Sequence, residues 1–549
     1  GNHKNIGYFI EYLNYGSEGF KTLESGKNTG FNKNDVVAKI RVQLFPNQAV
    51  KQSLDFKFQY ADEKGNETYL GLSEDDFNTN PFSRYAASNN DKMTTDHTQY
   101  MLTHHLGFSK NLTLTTTFYR NNFARNWYKL NDITFEGDQQ KISNILGDPT
   151  NYSDHFSIVN GTVNSSADAI AVKANNRSYY AQGMQTKLDY HWYTENLFHD
   201  LELGFRYHYD EEDRFQWIDK YSISNTGVLT ETTAGVPGTD ANRISSAKAF
   251  ASYITYKLKY QNWTFTPGVR YEDILLERKD FGKNDITRSG SDLNERENSV
   301  AIFIPGMGAN YKFNNDLSLF GGIHKGFSPP GNKEDEKAEE SINYELGTRF
   351  SLGKLKGEFV GFYNDYSNLL GSDIAATGGT GSLDQFNAGA VKVNGIELLL
   401  NYNMTSEAAR FSFPMSLGYT FTNTEFLNSF GSTDSLWGTV TLGDELPYIP
   451  KHQLNAALSL EHAKFEVNVN ARYNGAFRTL AGSGNIPTDE KVASNFIIDM
   501  SSKYRVTPQF QLTANLTNLL NNTYAVSRVP AGLRPGHPFG IYAGFQYQF

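Results

Sequence analysis

Five side chains in three separated stretches carry the chemistry this sequence offers: Arg125 and Trp127 in "NNFARNWYKL", Arg177 in "NNRSYY", and Arg214 and Gln216 in "DEEDRFQWIDKY". A guanidinium presents a planar fork of N–H donors that can grip a carboxylate through two parallel hydrogen bonds, which an ammonium cannot do. The Gln amide and the Trp indole N–H add neutral donors. Together these groups suit non-covalent recognition of an anion. Nothing in the sequence pairs a nucleophile with a base, since no HExxH, phosphate-binding-loop or nucleophile-elbow pattern occurs. His104 and His105 are neighbours in an extended stretch, so they face opposite sides and cannot share a metal. The absence of Cys removes thiolate ligands and disulfides. The chain is therefore read as a non-enzyme with no metal site and no cofactor. For each arginine the competing role is an ion pair within the protein wall, above all beside the acidic "DEED".

Whether the five converge depends on the elements that carry them. Alternate residues are apolar in "AKIRVQL" (38–44) and "LDFKFQY" (54–60), and the pattern returns in "LTLTTTF" (112–118), "LELGFRYHY" (201–209), "FEVNVNARY" (465–473) and "GIYAGFQYQF" (540–549). This is the period of two expected of strands with one apolar and one polar face. Twenty such segments run from Asn5 to Phe549, and helices are nearly absent. Composition agrees: 14% aromatic residues with 47 Gly and a mean hydropathy of −0.53 do not fit a soluble α/β enzyme. A net charge of −10 argues against a nucleic-acid partner.

The connections supply the architecture. Nine are tight, such as "SKN", "YQN", "SLGK" and "EHAK", and they alternate with long polar ones. Short turns at one end and long loops at the other are the signature of a transmembrane barrel. A Lys or Arg facing lipid would cost roughly 2–4 kcal/mol at the midplane. Lys39, Arg41, Lys57, Arg206 and Arg349 must then face the lumen, and the apolar set faces the bilayer. The last strand, with Phe545, Tyr547 and Phe549 on its apolar face, ends at the periplasmic interface. Extending the parity of the strands places Arg125 and Trp127 inward above the membrane, just before a long loop at 131–175, and Arg206, His208, Asp210, Glu212, Arg214 and Gln216 inward on a later strand. Arg177 opens the strand between them. Twenty strands form a consistent unit, but barrels wider than porins are plugged. No long loop here has the apolar content of a plug.

The final stretch "NLTNLLNNTYAVSRVPAGLRPGHPFGIYAGFQYQF", with "ESINYELGTRF", "LPYIPKHQLN" and "KVNGIELLLNY", resembles the barrel of TonB-dependent outer-membrane receptors of Gram-negative bacteria across essentially the whole chain, 1–549. "NNFARNWYKL", "NNRSYYAQGMQTKL" and "LELGFRYHYDEEDRFQWIDKY" are similar to the ferric dicitrate receptor branch. The resemblance implies an all-β antiparallel barrel of 22 strands, about 20 of them present, with the N-terminal plug absent from this sequence. It further implies binding of a ferric chelate, import driven by the TonB complex through that plug, and recognition of the C-terminal Phe545, Tyr547 and Phe549 by the outer-membrane insertion machinery. Arg125, Trp127, Arg177, Arg214 and Gln216 then become the expected ligand contacts. By strand order, the loops at 331–340, with one short helix, and at 371–386 match those that close over ligand. Haem, cobalamin or another nutrient remains an alternative cargo, and a passive porin a remote alternative function.

Overall fold

The computed structural model describes residues 1–372, 385–405, 410–431 and 438–549. Its dominant element is one antiparallel sheet of 23 strands, three of them short: Asn2–His3, Asp138–Lys141 and Leu229–Thr233. Each long strand pairs with its neighbours in chain order, from Ile6–Ser17 through to Gly540–Tyr547. Every backbone N–H and C=O within a bilayer needs a partner, and adjacent antiparallel strands provide it without a crossover. Among the described residues the first and last long strands do not pair with each other, and the outer edge of the first is covered only at its start by Asn2–His3.

Side chains sort as the alternation demands. Phe118, Tyr207 and Phe303 lie on the outer face and are 49%, 50% and 64% exposed. On the opposite face polar groups bind one another: Tyr119 Oη lies 2.6 Å from His208 Nδ1, and the Lys187 ammonium 3.2 Å from Glu202. His104 and His105 do diverge, towards Gln52 and Thr115 respectively.

Above the membrane the strands are longer than the sequence suggests. Leu112–Phe135 and Ile170–Thr194 stay paired to Ile133↔Ile170, so both ends of the connection at 131–175 are strand and Arg177 lies well inside its strand. The long connections also contribute a packed apolar layer, which the strand patterns did not indicate. Three short helices, Glu74–Thr79, Ile142–Gly147 and Ser153–Asn160, join strand ends in a shared apolar core that includes Leu72, Ile133, Ile145, Val159 and Ile170. Ile142, Ile145 and Leu146 stand at i, i+3 and i+4, one face of a helix, and all three are buried. The first helix is capped by Ser73, whose Oγ accepts from the Asp76 amide at 3.2 Å, while Tyr85 donates to Asp76 at 2.7 Å. No helix forms at 331–340, where the chain runs in turns and bends.

This cap is fastened across the sheet's two edges. Leu72 and Leu533 exchange backbone hydrogen bonds of 2.8 and 2.7 Å, and Arg528 reaches Glu74 at 2.7 Å. A Cβ at Gly71 would lie 2.2 Å from the Gly532 carbonyl oxygen, so only glycine allows this approach.

The cap core should be separable from the barrel. Ile145→Ala removes a fully buried side chain at a cost of ~2–5 kcal/mol. It should speed proteolysis within 136–169 while leaving the heat-modifiable mobility of the folded barrel intact; equal cleavage rates in parent and variant would contradict this account of the core.

Candidate functional site: an arginine row on the inner wall

Continuous register brings the inward residues of neighbouring strands into rows. The pairs Arg125↔Arg177, Arg177↔Arg214 and Arg214↔Arg243 place four guanidiniums in one line across the strands Leu112–Phe135, Ile170–Thr194, Leu197–Ile223 and Ala241–Tyr260. Asp280 stands opposite Arg243, and on the neighbouring strands Arg278 opposes Arg296. One step further from the membrane, Trp127 opposes Asn175 and Gln216 opposes Ala241. The three predicted arginines therefore do converge, and Trp127 and Gln216 lie in the row above them.

Their engagement differs from the expectation of open ligand contacts. Glu212 sits between two of the arginines, accepting from Arg177 Nη1 and from Arg214 Nε, each at 2.9 Å. Both guanidinium side chains are buried. Gln216 donates to Asn175 Oδ1 at 2.5 Å, and Asn175 Oδ1 also accepts from Arg177 Nε at 2.9 Å. Trp127 packs edge-on against Tyr69 of the cap, 5.8 Å between ring centres. The competing role of wall ion pair is thus filled by Arg177 and Arg214 in this conformation. Arg125 is half-buried and makes a longer contact to the Tyr179 hydroxyl, 3.4 Å.

Like charges placed directly across a ladder repel, because their Cβ atoms stand only ~5 Å apart. The consequences are visible along the row. Burial, then the neighbouring Arg214 and Arg278, pulls Arg243 down to about 10. Arg214 is lowered first by burial and then by Arg177, with Glu212 opposing. Burial would raise the Glu212 carboxyl, but Arg214 and Arg177 outweigh it and hold it below the usual range. Higher up, burial and Lys173 bring Lys129 down to about 7, its ammonium 4.2 Å from the Tyr69 ring centre.

Below the row lies a cavity of about 510 Å³ lined by Phe123, Tyr179, Asp210, Glu212 and Asn332. Phe123 and Tyr179 pack with ring centres 5.8 Å apart. Asn332 comes from the 329–338 loop, which is tied to the wall by Asn298 Nδ2 donating to the carbonyls of Gly331 and Glu336. One of the two expected closing loops therefore reaches the site. The other, 371–386, lies almost entirely outside the described residues. Sequence reasoning missed Arg243, Arg278, Arg296, Lys129 and Lys173. The parity that located Arg214 would have found Arg243 from "ANRISSAKAF". Among the described residues no group of three or more His, Cys, Asp or Glu could hold a metal.

The family model described as "TonB dependent receptor-like, beta-barrel" matches residues 39–519. The ferrienterobactin receptor of Escherichia coli (strain K12) is 25% identical over 329 residues, which cover 54% of this chain but 40% of that receptor. This chain thus spans less than half of the curated relative it matches. Its fold is similar to the ferric citrate transporter FecA in the unliganded form, with a TM-score of 0.72 at 17% identity, covering 100% of this chain and 74% of that one. It is also similar to the siderophore receptor PiuA from Acinetobacter baumannii, with a TM-score of 0.73 at 14% identity, covering 99% and 77%. The antiparallel sheet, its lipid-type outer face and the family match over most of the sequence lead to one conclusion: the chain belongs to the TonB-dependent receptor-like β-barrel family of the outer membrane, whose members are receptors and not enzymes.

Proposed function

We propose that this chain is the barrel of a receptor that binds a ferric chelate, ferric dicitrate or a siderophore, at the arginine row and imports it with energy from the TonB complex. The observation that carries the reading is the in-register line Arg125, Arg177, Arg214 and Arg243 with a single carboxylate, Glu212, bridging two of its members. An anionic chelate would add countercharge to the wall, through oxygens that guanidinium forks match. Arg125 makes first contact, Arg177 and Arg214 turn part of their donors from Glu212 to the ligand, Gln216 and Trp127 support them from the row above, and the 329–338 loop covers the bound complex. The aromatic pair Phe123 and Tyr179 favours a second cargo, a larger catecholate siderophore stacked in the cavity below. The names of the relatives, receptors for ferrienterobactin and ferric citrate, support both.

In this reading residues 1–549 form one barrel domain, about 20 of a probable 22 strands, and the plug that contacts TonB lies outside these residues. The two sheet edges, not paired with each other, support it, because a spanning sheet cannot leave an edge in hydrocarbon. Uptake by the receptor with its plug should stop when the proton gradient collapses; unchanged uptake would rule out coupling. Phe545, Tyr547 and Phe549 on the last strand are proposed as the contact for the insertion machinery. Deleting Phe549 should lower the amount of folded, membrane-extractable receptor, and parental levels would remove this assignment.

Calorimetric titration with ferric dicitrate tests the site. Arg125→Ala, Arg177→Ala and Arg214→Ala each delete a charge-assisted hydrogen bond to the ligand, which should cost ~1.5–3 kcal/mol, roughly tenfold to a hundredfold in affinity. Lys333→Ala, whose charge lies on the covering loop and not in the row, should cost far less than any of the three. Glu212→Gln should tighten binding, since it frees donors that the wall now consumes. Affinity should fall with added salt over a screening length of about 8–10 Å. Parental affinity in all three Ala variants would remove the row as the site, whereas failure of citrate with retention of a catecholate would reassign the cargo.

A further inference from the structure

A second cavity, of about 630 Å³, opens on the other side of the same wall. Its floor is formed by Asn126, Tyr128 and Trp217. These residues continue the parity of Phe118 and Tyr207, so they belong to the lipid-side face and not to the vestibule. On that face Arg120 and Glu211 already mark the end of the apolar band. Asn126 and Tyr128 stand six and eight residues beyond Arg120 along the strand. At ~3.3 Å per residue and a ~45° tilt, this is on the order of 15 Å above the hydrocarbon, the depth of outer-leaflet headgroups. The roof comes from two loops, with Lys27, Asn28, Asn66 and Asn90 among the contributors.

The lining is dominated by side-chain amides and aromatic faces, with its charges already spoken for. Arg84 donates to the carbonyls of Asn66 and Ser88, and Asp219 accepts from the Tyr128 hydroxyl at 2.7 Å and from the Gly235 amide at 2.7 Å. The Lys92 ammonium lies 5.4 Å from the Tyr128 ring centre. Lys27 reaches the Asn89 carbonyl and Asn90 Oδ1, both at 3.4 Å. By contrast Asn126 Oδ1 is buried and has no hydrogen-bond partner among the described residues. A buried acceptor left unsatisfied costs about 1–3 kcal/mol, so a turn of the Asn126 amide that brings it to a donor in the cavity would recover that cost. Amide donors and acceptors beside aromatic faces suit a ligand with many hydroxyls and flat C–H surfaces, and the volume lies in the range of small-molecule sites.

We propose that this outer cavity is a saccharide-binding site, distinct from the inner arginine row, that takes sugar units through Asn126, the roof amides and the Trp217 face. Its position fits the headgroup of an outer-leaflet glycolipid, and a free oligosaccharide would meet the same chemistry. The inference rests on placement in the outer membrane and not on the chelate reading.

Detergent-solubilised receptor should be titrated with rough-type lipooligosaccharide, its delipidated core oligosaccharide, and lipid A lacking core sugars. Asn126→Leu and Trp217→Leu are the test variants, with folding confirmed by heat modifiability and with ferric-chelate affinity as an independent readout that should not move. Binding of the oligosaccharide, weakened at least tenfold in both variants, supports a site for free and lipid-borne sugars alike. Binding of lipooligosaccharide alone, weakened to the same degree in the variants, with none by lipid A, supports a glycolipid headgroup site. No binding of any sugar-bearing probe, equal binding of lipid A, or unchanged affinity in both folded variants overturns the proposal.

Discussion

The structure depends on one constraint: a backbone crossing hydrocarbon must hydrogen-bond entirely to its neighbours, so register cannot slip within the membrane. The pairing of Leu112–Phe135 with Ile170–Thr194 is unbroken from Leu112↔Tyr190 to Leu130↔Val172 and shifts only beyond that point. Parity fixed by lipid contact at Phe118 is therefore inherited by Arg125, which lies above the bilayer. A one-residue slip would exchange the inner and outer faces of the whole extension. The inner arginine row and the outer amide-lined cavity are two products of the same pairing, one on each side of the wall.

Holding four guanidiniums in line is unfavourable by itself, and the wall tolerates it through shared partners. Glu212 serves Arg177 and Arg214, Asn175 serves Arg177 and Gln216, and Lys173 pairs with Asp240 at 2.7 Å. Removing charges from water has a cost that such pairs only partly recover. A wall held this way is selective by sign. In the proposed reading it would favour an anion that can enter without dismantling the network.

Much of this was legible in the sequence, because period-two alternation and the contrast of short and long connections are local signals. They located the inward positions of Arg125 and Arg214 and the outward face of the final strand. They could not reveal which inward residues would be covered. Trp127 lies beneath Tyr69, a residue of a different loop, and no strand pattern foretells that contact. The cap was not foreseen for a different reason. Ile142, Ile145, Leu146, Ile158 and Val159 are few and scattered among polar residues, and only the combination of two short helices with strand ends and the 66–91 segment makes them a core.

The hydrogen bonds between Leu72 and Leu533, with Arg528 on Glu74, join residues at least 454 positions apart. Contacts this distant in sequence close a very large loop, whose entropic cost must be met before the contacts reward it. The segment that carries Leu72 packs against neighbouring strand ends, and Ala525, Ala531 and Leu533 complete the same core from the far end of the sequence. The extracellular surface is thereby tied together from both ends of the sheet: a molecule lacking the last hairpin would keep its early strands and lose these ties.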